Sequence, residues 1–373
     1  MKIGFDGKRA ANNLTGLGNY SRSLIYQLAN YFPDNQYLVY ATRVKEHPQI
    51  KSFFKTKGIS LELAWGSFLW RSFGILKQLK SDEVTLYHGL SQELPIGIRA
   101  SGIKSIVTIH DLIYIRFPQY FPFIDRLIYK WKGKYACKHA DGVLAISERT
   151  KQDLISFFNV PADKIKVIYQ SCDDGFKQAL NTERLAEIKN KYQLPDTYIL
   201  NVGTIESRKN QLLIVQALAA VDESVKLVLI GKQQPYAKQV HEELARLNLS
   251  DRVIFLKDVS FLDLPGIYQM ARVFVYPSIY EGFGIPIIEA LYSGVPVIAA
   301  TGSCLEEAGG PASIYVHPDD VAALSTAINS VLTSEDKRQQ MVAEGLKYVQ
   351  KFNNEVIASE LMAYYALIAA SKQ

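Results

Sequence analysis

Short apolar runs alternate with longer amphipathic stretches along almost the whole of this 373-residue chain, and few folds accommodate that rhythm. Runs such as Ser105–Ile109 (SIVTI) and Val273–Tyr276 (VFVY) are too short for helices and apolar at successive positions, the pattern of a strand covered on both faces. In the first half, strands are expected at Lys2–Phe5, Tyr37–Tyr40, Ile59–Leu63, Val84–Tyr87, Ser105–Ile109, Gly142–Ile146 and Ile165–Ile168. Helical periodicity fills the gaps at Gly18–Tyr31, Asp125–Lys138 and Glu148–Phe158. The second half repeats the rhythm, with strands expected at Tyr198–Val202, Lys226–Ile230, Val253–Leu256, Val273–Tyr276, Pro296–Ala299 and Ser313–Val316. Strands separated by helices are joined by crossovers, so the predicted class is α/β, with mostly parallel, doubly wound, Rossmann-like sheets.

A chain this long exceeds one ordinary hydrophobic core. A polar stretch from Ser171 to about Pro195 marks the expected boundary, giving domains at 1–175 and 176–352. Two final helical patterns, Glu335–Gln350 and Glu355–Ala370, have no strand after them, and residues 353–373 are expected to pack back on the first domain. The first residues, MKIGFDGKR, lack the basic prefix and long apolar core of a signal peptide, and no apolar run approaches the ~20 residues of a membrane span. The expected location is the cytoplasm, with the inner face of the cell membrane as a candidate surface. Three scattered cysteines, Cys137, Cys172 and Cys304, suggest neither a disulfide framework nor a zinc site. Residues 1–175 hold 24 Lys/Arg against 15 Asp/Glu, whereas the remainder is slightly acidic. Such a basic half suits nucleic acid, anionic lipid or an anionic substrate.

The segment Tyr276–Ala300, YPSIYEGFGIPIIEALYSGVPVIAA, reads as strand, glycine-rich loop, helix, Gly-Pro turn and strand. Pro286 fits the first turn of a helix beginning near Ile285, which leaves the N–H groups of Phe283, Gly284 and Ile285 turned into the loop. A helix start at the carboxyl end of a parallel strand favours an anion through unpaired donors and the helix dipole, and phosphate is the natural occupant. Glu281 and Glu289 border that pocket, and carboxylates suit sugar hydroxyls better than phosphate. Each of them taken singly is equally explained as a complement to the helix dipole.

Together, E-G-F-G-I-P-x-x-E-A in this setting resembles the E-x7-E signature of the retaining glycosyltransferases of family 4, and the likeness extends over nearly the whole chain. It implies a GT-B fold, in which two Rossmann-like domains face each other across a cleft. The nucleotide would be held mainly by the second domain and the acceptor by the first. By position, Glu281 would contact the donor hexose and Glu289 the ribose, while the N–H groups of Phe283, Gly284 and Ile285 would cradle sugar hydroxyls and phosphate. In NVGTIESRKNQ, Arg208 and Lys209 are read as opening the helix after the first strand of the second domain. Basic residues there oppose the dipole, so a purely structural role would be a poor use of them. The segment looks like the family's G-x-x-x-x-R-K element, whose lysine meets the distal phosphate. Thr204 stands where many relatives carry a further arginine.

In TGLGNYSRSL, Gly16 and Gly18 permit close backbone approach, and the likeness makes this the loop that reaches the donor phosphates. In TIHDLIYIRFP, His110 corresponds to a histidine bordering the donor sugar, with Asp111 as a structural support. Val259 would touch the base through its backbone, and Glu306 would lie near the ribose. No Asp-x-Asp occurs, so the metal-binding motif of the other large glycosyltransferase fold is missing, and Arg208, Lys209 and helix N-termini are left to balance the diphosphate.

The expected activity is therefore transfer of a hexose, with GDP-mannose as first donor and a UDP-hexose or UDP-N-acetylhexosamine as second. The acceptor would be a saccharide, free or lipid-linked, in the assembly of cell-surface polysaccharide. No cofactor, metal or nucleic acid partner is expected. Retention follows from the family likeness alone. A sugar-nucleotide epimerase of the same architecture is the alternative. Aromatic clusters beside basic residues, Phe68–Phe73 with Trp65, and Phe117–Phe123 followed by Arg126, Lys130, Lys132 and Lys134, suit peripheral association with an anionic membrane.

Overall fold

The computed structural model describes residues 1–64 and 70–371. The chain divides into two compact units: Met1–Gln170 together with the segment from Asn353 onward, and Ser171–Phe352. The first unit holds β1 (Lys2–Asp6), β2 (Gln36–Ala41), β3 (Ile59–Leu63), β4 (Leu86–Gly89), β5 (Lys104–Ile109), β6 (Gly142–Ala145) and β7 (Ile165–Val167) in the order 3-2-1-4-5-6-7. The second holds β8 (Tyr198–Val202), β9 (Lys226–Ile230), β10 (Val253–Leu256), β11 (Val273–Tyr276), β12 (Val297–Ala300) and β13 (Ile314–Val316) in the order 10-9-8-11-12-13. Every pairing is parallel. The expected α/β class and Rossmann-like sheets are what the chain forms.

Continuous apolar runs become strands because helices cover both faces of each sheet. All four residues of β11 are buried, as are all four of β6 and of β12. Each such Val, Ile or Phe contributes roughly 1.5–3 kcal/mol by leaving water. In both sheets the chain order reverses once, between β1 and β4 and between β8 and β11. Outside the carboxyl ends of strands, such a switch point leaves the crevice in which doubly wound proteins hold ligands.

The last helix, Asn354–Ala370, belongs to the first unit and lies against the helix Gly16–Tyr31. Polar contacts fix its register. Gln27 Nε2 donates to Asn354 Oδ1 at 2.8 Å, and the Tyr365 hydroxyl meets His88 Nδ1 at 2.6 Å. His88 Nε2 in turn meets Thr108 Oγ1 at 2.8 Å, and Thr108 reaches the Tyr20 hydroxyl at 3.3 Å. Burial, aided by the nearby His110, pushes the His88 pKa down to about 3, so its ring is neutral. A neutral imidazole with both nitrogens engaged is a structural link between the helix and the centre of the sheet. Replacing Tyr365 with Phe strands a buried ring nitrogen, and urea unfolding should register a loss of about 1–3 kcal/mol.

Candidate active site

A cluster of charged side chains lies at the switch point of the second unit. β8 ends at Val202, Gly203 follows, and the chain makes a short 3-10 turn, Ser207–Lys209, before the helix Gln211–Leu218 begins. Arg208 and Lys209 therefore do not open that helix, as the sequence suggested. They sit in a separate turn because Asn210 adopts a left-handed conformation (φ 59°) that breaks the helix away from it. The break frees both cations from the unfavourable dipole end and points them at β11.

β11 delivers Tyr276, and the loop 277–284 brings Glu281 back over the strand end. Glu281 Oε1 accepts from Lys209 Nζ at 2.6 Å, from Ser278 Oγ at 2.6 Å and from the Tyr276 hydroxyl at 3.2 Å. Its Oε2 pairs with Arg208 Nη1 at 2.9 Å. Lys209 also hydrogen-bonds the Tyr276 hydroxyl, with its ammonium 4.8 Å from the ring centre. Burial alone would raise the Glu281 pKa, but Lys209 and Arg208 outweigh it and bring it down to about 2. Glu281 is thus a fixed carboxylate.

Arg208 works as a clamp on the loop. Its guanidinium donates to the Tyr280 carbonyl at 2.7 Å and to Glu206 Oε1 at 2.7 Å, while its own carbonyl accepts from Ile279 N at 2.9 Å. Lys209 has fewer anchors and ends in the centre of the cluster. Glu206 and Tyr276 were not singled out from the sequence. Tyr276 meets Lys209 across 67 residues of chain, which no local pattern records, whereas Glu206 pairs with Arg208 only two residues on.

The helix Ile285–Tyr292 starts where Pro286 predicts. Gly284 precedes it with φ 148°, a conformation side chains rarely adopt, and a Cβ there would crowd Ala308 and Leu305 at 3.1 and 3.3 Å. Phe283 is buried against Phe352 at 5.3 Å, and its carbonyl accepts from Cys304 Sγ at 2.8 Å. The loop is tied down by these contacts, and the Ile285 N–H has no partner inside the helix, since Pro286 lacks an N–H and Ile287 N donates to the Gly284 carbonyl at 2.9 Å.

Glu289 lies one turn into this helix and accepts from the Tyr268 hydroxyl at 2.9 Å. Burial, with a smaller contribution from Asp173, raises its pKa to about 7 against the lowering effect of Tyr268. Of the two glutamates of the motif, one therefore holds a fixed charge and the other titrates near neutral pH. Glu306 Oε1 accepts from Thr301 Oγ1 at 2.6 Å and from Gly302 N at 2.9 Å. Val259 is half-buried in the loop after the edge strand β10, separated from β11 by β9 and β8.

In the first unit, Gly16 opens the helix Gly16–Tyr31 with no atom within 4 Å of where a Cβ would stand. Gly18 differs, since a Cβ there would lie 1.9 Å from the Asn13 carbonyl oxygen. Its lack of a side chain is required by the loop itself, which Arg22 fastens by donating to the carbonyls of Ala10 and Asn13. His110, at the end of β5, is buried, and its Nε2 donates to the Leu90 carbonyl at 2.9 Å while Nδ1 accepts from Gln170 at 3.4 Å. Burial lowers its pKa to about 4, with the Leu90 bond opposing and Arg9 assisting. The ring is neutral, with both nitrogens in use. The Tyr20 ring meets it edge-on at 4.7 Å and so joins the Gly16 helix to the His110 strand end. Asp111 Oδ1 accepts from Ile113 N at 3.1 Å, a turn-forming role.

Two Rossmann-like units, one carrying a cation and carboxylate cluster at its switch point, are the parts of a GT-B fold. Residues 185–348 match the family described as Glycosyl transferases group 1, and residues 18–175 match Glycosyltransferase Family 4. The chain is 30% identical to O-antigen chain mannosyltransferase B of Escherichia coli over 99% of its own length and all of that protein's. It is also 32% identical to O-antigen chain mannosyltransferase RfbU of Salmonella typhimurium over 60% of each chain. Among solved structures, Anabaena Alr3699/HepE in complex with UDP and glucose superposes with a TM-score of 0.78 at 19% identity, covering 98% of this chain and 100% of that one. The chain belongs to glycosyltransferase family 4.

The state of Glu289 has a consequence for stability. A carboxyl whose folded pKa lies above its unfolded value of 4.5 binds protons more tightly when folded, so it favours the fold at low pH and loses that contribution as pH rises through about 7. Glu289→Gln removes the loss. In the ligand-free protein it should raise stability by on the order of 1–2 kcal/mol at about pH 8 and have little effect near pH 4, measured by urea unfolding at each pH.

Proposed function

We propose that this glycosyltransferase moves mannose from GDP-mannose to a saccharide acceptor with retention of anomeric configuration, in the assembly of a cell-surface polysaccharide. The mannosyltransferase relatives in O-antigen synthesis support the sugar, and the Glu281–Glu289 pattern of family 4 supports retention. A UDP-hexose is the second donor, favoured by the structural likeness to a protein solved with UDP-glucose.

The observation that carries the donor site is the mutual neutralisation of Arg208 and Lys209 by Glu206 and Glu281. Two cations gathered at a strand end and balanced by two carboxylates form an exchange site for a diphosphate. Glu206 is the more exposed of the two acids and the easier to displace. When Lys209 turns to the distal phosphate, Glu281 Oε1, still held by Ser278 and Tyr276, exchanges its lysine partner for a sugar hydroxyl. Gly284 and Ile285 add backbone donors, Glu289 receives the ribose, and Val259 meets the base.

In the reaction, the bond from the anomeric carbon to the phosphate oxygen breaks and the acceptor hydroxyl oxygen bonds to that carbon from the same face. The hydroxyl proton passes to an oxygen of the leaving diphosphate. Lys209, Arg208 and the helix start stabilise the leaving charge, with no metal ion required.

Lys209→Ala should lower kcat by about a hundredfold or more, and turnover near the wild-type rate would reject the assignment. Chelation with EDTA should leave turnover unchanged. Donor identity is read by thermal shift with GDP-mannose, UDP-glucose and UDP-N-acetylglucosamine, since a donor at 100 times its Kd stabilises by about 2.7 kcal/mol. Release of free nucleotide that needs no acceptor would favour the epimerase reading.

A further inference from the structure

The helix Phe123–His139 of the first unit carries its apolar residues on the wrong side for a core element. Its buried residues are Gly133, Ala136 and Cys137, and Gly133 is packed so closely that a Cβ would lie 3.0 Å from the Phe158 ring. About half a turn away, at the spacing i, i+1, i+4, i+5, i+8, stand Phe123, Ile124, Leu127, Ile128 and Trp131. They are exposed by 64%, 70%, 51%, 44% and 57%. Scattered exposed apolar residues are ordinary, but five on one face of a single helix are not.

Charge on the same helix is one-sided. Arg126, Lys130, Lys132, Lys134 and Lys138 stand against Asp125 alone. Lys132 is spent on Glu93 at 3.0 Å, whereas Lys130, Lys134 and Lys138 are exposed and fall in an i, i+4, i+8 row beside the apolar face. Basic residues flanking a stripe that contains Trp match an anionic bilayer surface, where the ring sits at headgroup level and each lysine meets negative lipid. The aromatic cluster earlier in the chain does not contribute in the same way. Trp65 and Phe68 lie outside the described residues, Trp70 is buried in the first core, Phe117 and Phe121 are half-buried, and Phe73 stands exposed by itself on a different element.

We infer that the outer face of the helix Phe123–His139 docks on an anionic phospholipid surface, with Phe123, Ile124, Leu127, Ile128 and Trp131 entering the headgroup region and Lys130, Lys134 and Lys138 paired with lipid charge. This deepens the proposed function by giving the first unit a place where a lipid-linked acceptor is found, and in that respect alone it rests on that function. Among the described residues no helix is long and apolar enough to cross a membrane, so docking would be the mode of contact that this helix supplies.

The test is co-sedimentation of the full chain with phosphatidylcholine vesicles prepared with and without phosphatidylglycerol. The wild type should bind the anionic vesicles, more weakly as salt is raised. The variant Leu127→Ser/Trp131→Ser should bind about tenfold less or weaker still. The variant Lys130→Gln/Lys134→Gln/Lys138→Gln should lose about fivefold per charge on anionic vesicles alone. Because every substituted side chain is exposed, both variants should unfold at the wild-type temperature and transfer sugar to a soluble acceptor at the wild-type rate. Equal vesicle binding by wild type and both variants would overturn the inference. So would a concentration-dependent dimer in lipid-free gel filtration that Leu127→Ser/Trp131→Ser disperses, since the face would then belong to a second copy. Absence of sugar transfer in all forms would instead strike the proposed function and leave the vesicle result standing.

Discussion

Parallel strands can be joined only by chain that returns to the starting edge, so every loop leaving a carboxyl end collects on the same side of the sheet. That constraint organises each unit of this protein. It brings the 3-10 turn of Arg208 and Lys209, which follows β8, beside the glycine loop that follows β11, although 72 residues separate Lys209 from Glu281. It likewise sets the Gly16 helix start after β1 and His110 after β5 at one end of the first sheet, where Tyr20 joins them. The site residues are distant in sequence because the fold gathers strand ends, not neighbours.

Electrostatics then decides how those residues stand. A carboxylate buried at the end of β11 would be costly alone, and it persists ionised because two cations and two hydroxyls are aimed at it. Eight residues on, Glu289 has a tyrosine hydroxyl but no cation, and burial prevails. The same side-chain type, repeated within one motif, thus holds a fixed charge in one place and a titratable one in the other. His110 shows the converse economy: its ring is kept neutral by burial and fully hydrogen-bonded.

Much of this was legible in the sequence. β3, β8, β9, β10 and β11 fall on the residues that their apolar runs mark, because a strand covered on both faces needs little besides continuous apolar side chains. Pro286 marks the start of its helix because proline tolerates only the first turn. The local misreading was at Arg208 and Lys209, where a left-handed asparagine, a backbone state no side-chain pattern announces, separates the turn from the helix. Gly18, read for a ligand, also answers to the Asn13 carbonyl, which leaves no room for a Cβ.

Chain chemistry by itself determined the α/β class, the strand positions, the family signature and the residue types that can meet a phosphorylated sugar, since each depends on local periodicity and short spacing. Tertiary structure alone decided the pairing of Glu281 with Lys209 and Arg208, the link from Tyr268 to Glu289, and the anchoring of the last helix through His88 and Tyr365. It also decided which face of the helix Phe123–His139 meets solvent. A face of Phe, Ile, Leu and Trp reads, by composition alone, as the buried side of that helix. Only the packing of Gly133, Ala136 and Cys137 against the unit shows that its aromatic face is left outside, because burial is a property of what surrounds a side chain and not of the side chain.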